Sequence, residues 1–181
     1  MTDVRSFIFV VWAIFWVYWL ISALGAKESS ARSRRVRPVS LIIIVAGGVA
    51  IRQLHGSSLA VHSPVLAAVG VIVFLSGLGL AVWARVHLGR NWGMPMTERA
   101  EPELVTSGPY RFVRHPIYSG ILLGMLGTAM ATDLYFLVAF GIALAYFSYS
   151  ATVEERLLSA SFPDAYPRYR AHTKMLIPYV L

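Results

Sequence analysis

The sequence predicts an all-α, polytopic integral membrane protein of about five transmembrane helices, on three observations. Of 181 residues, 57% are hydrophobic and only 14% charged, too little polar surface to cover a soluble globule. The stretches "FIFVVWAIFWVYWLISALG" (7–25) and "PVLAAVGVIVFLSGLGLAVWA" (64–84) run 19 and 21 residues without a charge, and about 20 residues of helix cross a ~30 Å hydrocarbon layer. The basic residues, finally, segregate onto one set of alternating loops.

The first run exceeds the apolar core of a signal peptide and leads into a basic loop, so it is read as a helix. "VSLIIIVAGGVAI" (39–51) is shorter and spans if the flanking polar residues reach to the interfaces. The third span is 64–84. From 116 to 151 the chain is apolar apart from Thr132 and Asp133, which reads as two helices, 116–131 and 134–152, folded back on each other. Gly120, Gly124 and Gly127 form one small-residue stripe that lets another backbone approach closely.

With five alternating spans, 14 of the 16 Lys and Arg fall on the side of the loops 26–38 and 85–115 and of the tail from 153, leaving Arg5 and Arg52 opposite. The positive-inside rule makes that side cytoplasmic and the N-terminus external, as in a bacterial-type inner membrane. Cations spread over membrane-proximal loops meet anionic headgroups rather than a nucleic acid, which would want a clustered basic face. The chain has no cysteine, which removes thiolate catalysis and cysteine-based metal sites; no metal is expected.

The polar chemistry is concentrated in the loop 84–115 and the tail 153–181. The hairpin brings "RHPIY" (115 at its histidine) beside "EERL" (from 154) at the cytoplasmic face. Pro116 suits a first helical residue and pushes His115 toward an extended backbone, its side chain away from the helix axis. The aromatics Tyr110, Phe112, Tyr118, Phe162, Tyr166 and Tyr169 read either as an interfacial belt or as faces for a cation or an adenine ring. Glu154 and Glu155, placed at a helix C-terminus, oppose its macrodipole and are either solvated or matched by a cationic partner.

"ELVTSGPYRFVRHPIYSG", followed after an apolar hairpin by "EERLLSASFPDAYPRYRAHTKMLIPYV", closely resembles the catalytic part of the isoprenylcysteine carboxyl methyltransferase family, which is related to the membrane phospholipid N-methyltransferases. The resemblance runs from about residue 88 to the C-terminus. It implies an S-adenosyl-L-methionine-dependent enzyme acting on a lipophilic acceptor, a prenyl-like carboxylate or a lipid headgroup, with residues 63–181 as catalytic core and 1–62 as an N-terminal helix pair.

By motif it implies cofactor contacts at Pro102, Glu103, Leu104, Val105, Tyr110, His115, Pro116, Ile117 and Tyr118. Glu154 would face the acceptor as the catalytic residue, with Glu155 and Ser150 on the substrate side. Members that methylate a prenylated cysteine carry an arginine where this chain has Ser150, and a histidine precedes "LV" where this chain has Pro102 and Glu103. Two rival readings stand beside it: an NADPH-dependent membrane reductase related to sterol reductases, with Arg111, Arg114, Arg168 and Arg170 for the 2'-phosphate, and a non-catalytic membrane protein that keeps the fold.

Overall fold

A computed structural model describes residues 2–23, 59–92 and 103–177. Among them the chain is all-helical: α1 Thr2–Ala23, α2 Pro64–Leu88, α3 Pro116–Ala131, α4 Phe136–Ser161 and α5 Ala165–His172, with 3-10 turns at Gly89–Asn91 and Gly108–Arg111. α1, α2 and α4 are each long and apolar enough to cross a membrane, and α3 is a shorter apolar helix. The expected span 39–51 and the basic loop 26–38 lie outside the described residues.

Local chemistry accounts for the boundaries. Ser63 caps α2, its hydroxyl accepting from Leu66 N at 3.3 Å, with Pro64 at the first helical position. Pro116 opens α3 as its sequence predicts. α4 runs to Ser161, well past the expected 152. The reason is that "VEERLLSAS" is rich in helix formers, and the stop comes at Phe162, which Pro163 forces out of the helical region (φ −132°, ψ 67°). Glu154 and Glu155 therefore lie well inside a helix and not at its C-terminus. The macrodipole argument for a cationic partner fails, although Glu155 does have such partners.

α2 and α3 pack backbone to backbone. A Cβ on Gly120 would stand 2.6 Å from both Ala81 N and Gly77 O, and one on Gly70 would stand 2.5 Å from Ala131 N. Gly124 faces Trp12 and Leu78. The glycine stripe is a packing face, as read from the sequence. Phe74, Leu78, Ile121 and Leu122 join Ile8, Phe15 and Trp19 of α1 in the core.

Contacts at the helix ends give each helix its direction. At one end Arg5 lies 4.0 Å from Asp133, and Val61 N donates to Thr132 O at 3.1 Å. At the other, Arg85 donates to Ser22 O at 2.5 Å and Gly89 O at 2.7 Å and lies 4.8 Å from the centre of the Trp92 ring. α1 and α2 thus start at the same end, while α3 starts at the opposite end, to which α4 returns.

Candidate active site

The N-terminal end of α3 meets α4 in a cluster of charge. The carboxylate of Glu154 accepts a hydrogen bond from the Tyr118 hydroxyl and lies 3.5 Å from His115 Nδ1. Glu155, one residue on, accepts from Arg114 Nε at 2.7 Å and lies 3.5 Å from both His115 Nε2 and Arg170 Nε. One imidazole therefore stands between two carboxylates. Side-chain exposure separates the acids, 24% for Glu154 against 7% for Glu155. Glu155 is buried against cations, and Glu154 stays partly open.

His115 is buried with φ −125° and ψ 59°, less extended than expected. Its ring does not point away from the helix. It stacks on Tyr118 at 5.4 Å between centres and 5° between planes, and Tyr118 in turn stacks on Phe147 at 4.6 Å. Burial works against the imidazolium, but the carboxylates of Glu154 and Glu155 beside its two nitrogens outweigh it and raise the His115 pKa above 6.5. His115 Nε2 makes no hydrogen bond, the 3.5 Å to Glu155 being long for one.

The C-terminal tail closes over this cluster. Arg114 N donates to Lys174 O at 2.8 Å, His115 N to Met175 O at 3.1 Å, and Ser119 Oγ to Leu176 O at 2.5 Å. Arg114 also donates through Nη1 to Thr173 O. The Tyr169 hydroxyl donates to Tyr110 O at 2.6 Å; burial pushes its pKa up to about 12, so it remains a donor at neutral pH. Tyr110, Tyr118 and Tyr166 are buried. An interfacial belt does not describe them, whereas exposed Phe112 suits one.

The remaining expected residues are distributed unevenly. Pro102 lies outside the described residues. Glu103 accepts from Asn91 Nδ2 at 2.5 Å, and Asn91 Oδ1 is buried without a hydrogen-bond partner among the described residues. Leu104 and Val105 are half-buried, Val105 against the core. Pro116 and Ile117 are buried in the first turn of α3. Ser150 is fully buried one turn before Glu154, its hydroxyl turned back onto Tyr146 O at 2.8 Å.

Two contributors escaped the sequence reading. Phe147, which backs Tyr118, looked like one more apolar residue of a span. Arg85 looked like the first charge of a loop but is a buried residue of α2; a single arginine just inside the end of an apolar run was the available signal.

A family profile of phospholipid methyltransferases matches residues 65–165, more than half of the chain. The chain belongs to the phospholipid methyltransferase family. It is 39% identical over 105 residues to a protein-S-isoprenylcysteine O-methyltransferase of Schizosaccharomyces pombe, covering 54% of this chain and 43% of that one. It is 35% identical over 120 residues to the cobalt-zinc-cadmium resistance protein CzcN of Cupriavidus metallidurans, covering 64% and 50%. A methanethiol S-methyltransferase of Mycobacterium tuberculosis is 40% identical over 70 residues, covering 39% and 28%. The chain spans about half the length, or less, of these relatives. The resemblance carried by "RHPIY" and the paired glutamates holds, and the matches favour methyl transfer over the reductase reading.

Proposed function

We propose that the protein is an integral membrane methyltransferase that takes S-adenosylmethionine from the cytoplasm and methylates a lipophilic acceptor arriving through the bilayer. The observation that carries this reading is the Glu154 carboxylate, partly open and held by Tyr118 and His115 where α3 and α4 meet, in a chain of this family. Five spans with the N-terminus outside complete it. In support, α1 ends and α2 begins at opposite ends of the bundle.

The residues suit such a cofactor. The stacked faces of Tyr118 and Phe147 favour a cation, and Asn91 Oδ1, without a partner among the described residues, is an acceptor for an amino group. Glu103, Leu104, Val105, Tyr110 and the block His115, Pro116, Ile117 and Tyr118 would hold it, with Pro102 preceding them. When bound, the cofactor supplies a methyl group on an electrophilic sulfonium. The chain itself provides position and charge. Glu155 is engaged by Arg114 and Arg170 and keeps the tail on the site, while Glu154 faces the acceptor and takes a proton from an acceptor that must lose one.

Ser150 offers no charge to grip a substrate carboxylate, which favours an acceptor other than an isoprenylcysteine. Residues 63–181 form the catalytic core and 1–62 the flanking helix pair. Calorimetric titration of the purified full-length protein with S-adenosylhomocysteine and with NADPH tests the reading. Binding of the first and not the second is expected; binding of NADPH alone would overturn it.

A further inference from the structure

Beside the cluster, and sharing Arg170 with it, lies a concavity to which the proposed methyl transfer assigns no ligand. It is a cleft of about 370 Å³ lined by Arg111, Phe112, Arg170, His172, Thr173 and Lys174, at the lower end of the ~300–1,000 Å³ usual for small-ligand sites. Its walls are the segments around Val113 and Lys174, joined as a parallel bridge through the Arg114 N to Lys174 O bond. No acid is among the lining residues. Arg170 lies 3.5 Å from Glu155 behind the wall, but Glu155 is already bound by Arg114 at 2.7 Å, and Arg170 remains 60% exposed.

Three permanent cations and a histidine sharing one concavity repel one another unless an anion joins them. Guanidinium groups match phosphate oxygens in particular. His172 Nδ1 bonds Arg168 O at 2.8 Å, leaving its other ring nitrogen for a ligand. The source of the phosphate is indicated by the apolar wall of the cleft. Phe112, which lines it, is 47% exposed, and Ile177, three residues past the lining residue Lys174, is 51% exposed; basic residues with exposed apolar neighbours at the end of a spanning helix are the pattern of an interfacial lipid contact.

We infer that this cleft binds the headgroup phosphate of an anionic lipid of the cytoplasmic leaflet. The lipid would hold the tail segment against the segment leading into α3 without entering the methyl-transfer site. The inference does not depend on which reaction the protein catalyses.

The test is native mass spectrometry of the detergent-purified full-length protein with phosphatidylglycerol and phosphatidylcholine, alongside thermal shifts with the same lipids and with inorganic phosphate. The Arg111→Gln/Lys174→Gln protein is compared with Arg156→Gln/Arg168→Gln, which removes equal charge from exposed sites outside the cleft. Retention of phosphatidylglycerol over phosphatidylcholine is expected, falling roughly ten- to thirty-fold in the cleft variant, as two cations near an anionic surface would contribute, and unchanged in the control. Equal loss in both variants, or no loss in either, would overturn the inference. So would a thermal shift by inorganic phosphate that matches the lipid's, since the anion would then be soluble.

Discussion

The two faces of α3 are built on opposite principles. Toward α2 it presents Gly120 and Gly127, with backbone against backbone and no room for a methyl group. Toward α4 and the tail it presents His115, Tyr118 and Ser119, held by hydrogen bonds and charge. The first seam fixes where the helix sits, because close-packed backbone has one arrangement. The second uses that fixed position to keep ionised groups in a defined place with little water. A site that must hold a buried imidazole between two carboxylates requires a rigid neighbour, and the glycine seam supplies it.

Breaking the polar seam at its centre carries the largest expected effect. Arg114→Ala leaves Glu155, 7% exposed, without its main partner, which costs about 3–5 kcal/mol. A large fall in thermal midpoint in detergent is expected, together with protease sensitivity of the tail. A midpoint equal to wild type would mean that Arg170 alone neutralises Glu155.

Glu154→Gln sharpens the comparison by keeping shape and removing charge. Methyl transfer to a membrane lipid extract should fall about 100-fold, near 2.7 kcal/mol, while S-adenosylhomocysteine affinity stays nearly constant. Loss of cofactor affinity would instead put Glu154 on the cofactor side.

The dry seam is probed by Gly120→Val, whose Cβ would begin 2.6 Å from Ala81 N. Overpacking of this kind costs about 1–3 kcal/mol, or roughly 3–10 °C in thermal midpoint. The converse variant Gly79→Ala, where a Cβ meets nothing within 4 Å, should be neutral. Equal effects at both glycines would show that backbone freedom, and not contact between α2 and α3, governs the seam.

The smallest effect is a pH dependence. The His115 pKa is raised in the folded protein, so the stability it contributes is complete below about 6.5, the unfolded value, and is lost as pH rises through the folded value. The thermal midpoint of the wild type should decline as pH rises from about 6.5 through the folded value, and His115→Asn should flatten the decline. A midpoint that climbs with pH in the wild type and is unaffected by the substitution would contradict the cluster's charge arrangement.

The dry seam was more legible in the sequence than the polar one. Long apolar runs, Pro116 and the spacing of Gly120, Gly124 and Gly127 are local signals whose physics does not depend on what surrounds them. The nearness of "RHPIY" to "EERL" followed from the hairpin alone. The division of labour between Glu154 and Glu155 did not, because it depends on Arg114 and Arg170 converging from two distant segments. The extent of α4 was missed because its end is set by Phe162 before Pro163 and not by the end of the apolar run. The buried role of Arg85 was hidden because its partners, Ser22 O and Trp92, come from elsewhere in the chain.

The helices are unequal in length. α3 has 16 residues against 25 in α2 and 26 in α4, about 24 Å against some 37 to 39 Å at 1.5 Å per residue. Ala131, the last residue of α3, abuts Gly70, the seventh residue of α2, so α2 overhangs α3 by about 9 Å at that end, at 1.5 Å per residue. Glu154 stands seven residues before Ser161, roughly 10 Å short of the C-terminal tip of α4. Under the proposed function, that distance lets an acceptor react without being lifted out of its leaflet. Encounter would then be a search in two dimensions, governed by the acceptor's mole fraction among the surrounding lipids and not by its concentration in the aqueous volume.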